Sequence, residues 1–170
     1  MRVLSGLVLL LLALAMSSGF AQKANSSKPD FAGTWSLDRA RSFGLPRDMQ
    51  QTMNVTQVGD RIELETKLVT AQGENTISDS YTIDGAERDF TPQGPRGPIE
   101  GSTGKRKANW LPNGRGIVVE EETKTQTPNG LTSGRLTRKW TILNDGELVI
   151  DLYVDDQRGS YEMKRTFVKK

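Results

Sequence analysis

The chain contains no histidine and no cysteine. Without histidine there is no Ser-His-Asp or Cys-His nucleophile machinery, and no histidine-held zinc or haem. Without cysteine there are no disulfides, so stability has to come from a hydrophobic core of ordinary size. A charge imbalance is missing too: 23 basic residues stand against 21 acidic ones. That balance gives no reason to expect nucleic acid or an anionic membrane as a partner. The run Lys105-Arg106-Lys107 is too short to change this and is expected to be a solvated strand edge. No calcium-loop spacing occurs and no metal or other cofactor is implied. Whatever chemistry the chain supports must use carboxylate, lysine, arginine, tyrosine or serine groups.

The only long apolar run lies at the start. Met1-Arg2 is followed by the leucine-rich stretch Val3 to Met16, and Gly19-Phe20-Ala21 supplies the small residues of a cleavage site before Gln22. Residues 1–21 are therefore expected to be a signal peptide, whose apolar run Val3–Met16 is too short for a comfortable membrane span of about 20 apolar residues. The implied product is exported, periplasmic or extracellular, with no membrane span once the leader is removed. A flexible segment, 22–30, then precedes a single domain, 31–170.

From Phe31 onward the pattern is strand after strand, with little helical periodicity. In Phe31-Ala32-Gly33-Thr34-Trp35-Ser36-Leu37, the residues Phe31, Gly33, Trp35 and Leu37 share one face. Ile62, Leu64, Thr66 and Leu68 alternate with Glu63, Glu65 and Lys67, and Ile77, Asp79, Tyr81 and Ile83 form a further stripe. Asn113-Gly114, Asn129-Gly130 and Asp145-Gly146 punctuate the later half as tight turns. The one helix-permissive piece is Asp38–Arg41. Thr91–Pro98, rich in glycine and proline, cannot be an interior strand and is expected as a loop at one end. Roughly eight to ten short-linked strands make an antiparallel meander, whose edges are best removed by closure into an up-and-down β-barrel. A two-sheet β-sandwich is the alternative. The first and last strands are the expected closing partners.

The opening Phe31-Ala-Gly-Thr-Trp-Ser-Leu-Asp38 resembles the Gly-x-Trp first strand of the calycins, the lipocalins and fatty-acid-binding proteins. Arg41-Ser42 after it is similar to the form seen in bacterial, secreted lipocalin-like proteins, and Asp145–Ile150 with Tyr161–Phe167 resembles the last hairpin of these families. The resemblance implies a lipocalin-like barrel that holds a small hydrophobic ligand. It also implies a C-terminal arginine lying over the first-strand tryptophan. Two departures speak against a fatty acid: Arg39–Met49 is too short for a two-helix lid, and Arg165-Thr166-Phe167 lacks the tyrosine of the carboxylate-binding Arg-x-Tyr.

Candidate site residues follow from alternation. Tyr161, Met163, Arg165 and Phe167 share a face, so Arg165 stands among apolar neighbours, where a cation is costly unless paired. Two roles fit it: an anchor for a ligand anion, or barrel closure with Gly33 and Trp35 through a cation–π contact. Leu136, Arg138, Trp140 and Ile142 share a face as well, and Arg138 is interior or solvent-facing according to whether a bulge shifts the register. At least one of Glu120, Glu121 and Glu122 must face inward, to neutralise an arginine or to act in acid–base chemistry. The expected function is non-catalytic binding of a small, partly apolar or anionic ligand inside the barrel. Arg165 and Arg138 would be its polar anchors, and Trp110, Trp140, Tyr161 and Met163 its lining. The alternatives are a carboxylate-dependent enzyme on the same fold, or a filled barrel that meets an envelope or protein partner through rim loops such as Thr91–Pro98.

Overall fold

The computed structural model describes residues 28–94 and 97–170, so the expected leader 1–21 and most of the expected flexible segment 22–30 lie outside the described residues. Twelve strands follow in order: β1 Gly33–Phe43, β2 Gln50–Val58, β3 Arg61–Thr70, β4 Gly73–Thr82, β5 Arg88–Phe90, β6 Gln93–Gly94, β7 Gly97–Pro98, β8 Ser102–Trp110, β9 Gly116–Thr127, β10 Gly130–Ile142, β11 Leu148–Asp156 and β12 Gly159–Lys169. All pairings between them are antiparallel. Ten strands form one sheet in the order β4-β3-β2-β1-β12-β11-β10-β9-β8-β5, curled into a half-barrel. The Gly-Pro stretch forms only the two-residue ribbon β6–β7, apart from the main sheet.

The first and last strands do pair, Trp35 opposite Lys169 and Leu37 opposite Phe167. The seam therefore lies elsewhere, between β4 and β8. There the link consists of a single bridge, Ile83 to Ala108, a hydrogen bond from Gly85 N to Ala108 O (2.9 Å), and side chains. The cation over the Trp35 ring is Lys169, its Nζ 5.4 Å from the centroid, and not Arg165. Register explains the difference: directly opposed residues share a face, and β12 brings Lys169, four residues beyond Arg165, against Trp35. Gly33 makes room for it, since a Cβ there would stand 2.5 Å from Lys169 Cε.

Asp38–Arg41 is not helical. β1 runs through it, and the register with β12 shifts between Asp38 and Phe43. Asp38 Oδ1 accepts from Ala40 N (2.9 Å), Ser42 Oγ donates to Asp38 O (2.6 Å), and Thr166 N donates to Ser42 Oγ (2.9 Å). Short polar side chains thus replace ladder bonds at a bulge.

The core fills one end of the half-barrel. Phe31, Trp35, Ile117, Trp140, Leu148 and Phe167 are all at most 1% exposed. Phe31 and Tyr81 meet the Trp140 ring edge-on, at 5.8 and 5.9 Å between centroids. Trp35 Nε1 donates to Phe31 O (2.9 Å), so its buried donor is satisfied. Trp35→Ala is expected to cost about 3–5 kcal/mol of stability as a large buried cavity. Lys169→Ala, which removes one partly solvated cation–π contact, should cost under about 1 kcal/mol. Urea denaturation of the two variants checks the pair, and an unchanged midpoint for Trp35→Ala would refute the plug.

Candidate functional site

Above the aromatic base the inward face changes character. Three arginines enter the interior from three strands: Arg106 on β8, Arg138 on β10 and Arg165 on β12. The cross-strand registers set them one row apart. Arg106 faces Glu121, Arg138 faces Val119, and Arg165 faces Ile150, which in turn shares a row with Trp140. A tilted strand array turns such a staircase into a belt across the interior.

The belt is a chain of ion pairs that begins across the seam. Arg106 Nη1 and Nη2 donate to Asp79 of β4 at 2.5 and 3.0 Å, and Arg106 Nε donates to Glu121 at 2.6 Å. Arg106 Nη1 also donates to Ser80 O (3.1 Å), capping a backbone acceptor on the free edge of β4. The Arg106 guanidinium lies 4.1 Å from the centroid of Phe90, whose ring fills the space that a side chain at Gly104 would take. The other oxygen of Glu121 is 2.7 Å from Arg138 Nη1, an ion contact in which that nitrogen makes no hydrogen bond of acceptable geometry. The Glu121 side chain is 4% exposed and that of Arg138 23%, so Arg138 is the member of this pair that a solute can reach.

Arg165 stands apart. Its Nη1 donates to the neutral Gln51 side chain (3.1 Å), and its buried Nε has no partner among the described residues. Burial, and then the charge of Arg138, draw its pKa down to about 10. Burial works against the charge of Arg138 as well, but Tyr81, Glu121 and Asp79 outweigh it and hold its pKa above the ordinary value. The belt therefore carries three guanidiniums against two carboxylates. One buried positive charge is left without a counter-charge, which is expensive in a poorly solvated interior.

The remaining predicted residues lie at three different levels. Met163 lies beside Arg165 on the inward face of β12, with Gly44 of the β1–β2 connection pressed against it: a Cβ at Gly44 would be 2.6 Å from Met163 Cγ. Trp140 belongs to the packed base. Trp110 flanks that base, its Nε1 donating to Asp60 (3.0 Å) and Lys28 Nζ standing 4.6 Å over its ring. Tyr161 is 40% exposed at the opposite rim, with Arg158 Nη2 donating to its hydroxyl (3.2 Å). Gly33 and Trp35 sit at the β1–β12 junction, remote from Arg165 in register.

Two belt members escaped the sequence reading. Arg106 belongs to no solvated edge: it faces inward between Lys105 and Lys107, which reach out to Glu87 (3.0 Å) and Glu120 (3.0 Å). The parity of Gly104, Ala108 and Trp110 marks it as interior. Asp79 sits on the otherwise apolar stripe Ile77-Tyr81-Ile83, a visible anomaly. Of the three glutamates, Glu120 and Glu122 point outward to Lys107 and Arg135, and Glu121 is held by two arginines. Its two oxygens are committed to Arg106 and Arg138.

An open cleft of about 880 Å³ runs along the β4–β8 seam, lined by outward residues such as Asn54, Glu65 and Ser78 and also by Asp79, Arg106 and Tyr81. Among the described residues no group of three or more acidic side chains is placed to hold a metal ion, and no helix is long and apolar enough to cross a membrane.

The belt separates two roles experimentally. Glu121→Gln leaves Arg138 without its carboxylate and Arg106 with Asp79 alone, and is expected to cost about 3–5 kcal/mol. Arg165→Met removes a cation that lacks a counter-charge, so the ligand-free protein should keep its stability or gain about 1–2 kcal/mol. Chemical denaturation measures both, and a loss above about 1 kcal/mol for Arg165→Met would make Arg165 a structural residue.

Compared with models of known protein families the chain matches none, and a comparison with curated proteins finds no match either.

Proposed function

We propose that the protein is an exported, non-catalytic binding protein of lipocalin-like type, and that it takes a small, partly apolar anion into the cup above its packed base. The observation that carries this reading is Arg165: it is inward-facing, it has only neutral Gln51 as partner, and it stands near an arginine that already shares its carboxylate. A carboxylate or similar anion between Arg165 and Arg138 would supply the missing charge and meet the unpaired Nε. A guanidinium fork suits such a planar, bidentate partner. Met163 and Leu152, opposed on β12 and β11 in the row next to Arg165, offer the apolar contact. The half-barrel geometry and the Gly33-Thr34-Trp35 opening support the calycin resemblance, and the packed aromatic base leaves a long alkyl tail no space beneath the belt.

Binding should follow the charge of Arg165. Its pKa lies below that of a free arginine, so the cation is present at neutral pH and is lost as pH rises through about 10. Affinity for a carboxylate such as hexanoate is then expected to stay flat from pH 6 to 9, above the carboxylate's own titration, and to fall beyond about 10. Stability moves the opposite way: the cost of the buried cation is present in full below that pH and is relieved as pH rises from about 10 towards the ordinary arginine value. Arg165→Gln and Arg138→Gln should each weaken hexanoate binding by about tenfold or more. Calorimetric titration across pH checks this, together with mass spectrometry of anions that co-purify with the wild type but not with Arg165→Gln. Binding indifferent to both substitutions would overturn the proposal.

A further inference from the structure

Because the half-barrel is not closed by a continuous ladder, its main sheet ends in two edges, β5 and β4. The β5 edge is blunted against strand addition. It is three residues long, Arg88 is pinned to Asp84 (2.6 Å), Lys105 reaches Asp89 (3.4 Å), and Pro92 follows. The β4 edge has none of these devices. It is ten residues long, contains neither proline nor lysine, and keeps an unbroken register with β3.

Ladder parity identifies the open backbone groups of β4. Ile83 N donates to Asp60 O (2.7 Å), its opposite number in the β3–β4 register. By antiparallel alternation Tyr81, Asp79, Ile77 and Asn75 then bond β3, while Ser80, Ser78, Thr76 and Glu74 turn their N–H and C=O groups to the free edge. Ser80 obeys this rule and is already capped: its carbonyl accepts from Arg106 Nη1 (3.1 Å) and its N–H donates to Asp79 Oδ1 (2.9 Å). Glu74, Thr76 and Ser78 remain. All are exposed, and their edge groups bond nothing among the described residues.

This open stretch is symmetric about Thr76. A second copy laid antiparallel, with Thr76 opposite Thr76, sets Glu74 of each chain opposite Ser78 of the other, so every open N–H meets an open C=O. On the outer face threonine meets threonine, a favourable cross-strand pair. Glu74, already paired with Lys67 (2.6 Å), meets a neutral serine, and no like charges face each other. One step further the Ala71–Gly73 turn of each copy reaches the capped Ser80 of the other, so the pairing stops where the free groups stop. The stretch thus matches itself in length and charge, which favours a second copy over a foreign strand. Both long edges are consumed and β5 offers no other, which closes the assembly at two copies.

We propose that two copies of this protein join edge to edge through β4, in an antiparallel pair centred on Thr76 that makes one continuous sheet.

The chain has no cysteine, so single introduced thiols report the register. Opposed residues of a hydrogen-bonded antiparallel pair have Cα atoms about 5.5 Å apart, within disulfide reach, whereas Ser78 would stand roughly 14 Å from Ser78 of the second copy, outside it. Under mild oxidation Thr76→Cys is expected to give a covalent dimer and Ser78→Cys none, while a mixture of Glu74→Cys with Ser78→Cys gives a cross-linked heterodimer. In analytical ultracentrifugation the wild-type mass should rise towards twice that of one chain with concentration. Thr76→Pro removes an N–H that the β3 ladder does not use, so it should keep its circular dichroism and weaken association at least about tenfold. Thr76→Lys, which sets like charges across the axis without touching the backbone, should weaken association in a manner relieved by salt. A dimer indifferent to Thr76→Lys, or Thr76→Cys cross-linking no faster than Ser78→Cys, would overturn the proposal. A wild type that stays monomeric at every concentration would overturn it too, and would leave the edge to a strand of another protein.

Discussion

The Glu121 carboxylate holds the middle of this molecule together. One oxygen takes Arg106, the other Arg138, and Arg106 reaches on across the seam to Asp79. Strands β4, β8, β9 and β10 are thereby tied by charge at the level where the half-barrel has no continuous ladder to close it. Beneath that level the packing is dense and apolar; above it β8, β9 and β10 turn small and polar residues inward. A charge layer between two such regions is stable only while its members are paired, because unpaired buried ions cost several kcal/mol.

This constraint makes Arg165 informative. Pairing consumes both interior carboxylates of the belt before Arg165 is reached, and Gln51 supplies an oxygen but no charge. Evolution towards stability alone would favour an apolar residue there, since an uncompensated cation brings the fold nothing. The same position is what an anion receptor needs: a fork held in place, half dry, with one partner missing. The proposed function and the electrostatic cost coincide at this side chain.

Much of the fold was legible in the chain. Alternation identified the strands, Asn-Gly and Asp-Gly pairs marked the turns, and inward cations at 138 and 165 stood out against apolar neighbours. Arg106 was hidden because lysines on both sides made a basic run, although its parity with Ala108 and Trp110 was readable. Asp79 lies on an apolar stripe, and its partner Arg106 belongs to a strand that alternation alone does not bring across the seam. The helix-permissive stretch Asp38–Arg41 is strand instead, because Asp38 and Ser42 serve equally well to support a bulge, and the partner strand β12 decides between the two.

By itself, the sequence determined what is local: strand identity, turn positions, the face each side chain takes, and the absence of histidine and thiol chemistry. These depend on neighbours along the chain, whose geometry is set by the pleat and by turn residues. Only the tertiary structure decided which cation covers Trp35, which strands flank the seam, and which arginine is left without a carboxylate. Each of those depends on register between strands far apart in sequence, where a shift of two residues preserves every face yet changes every partner.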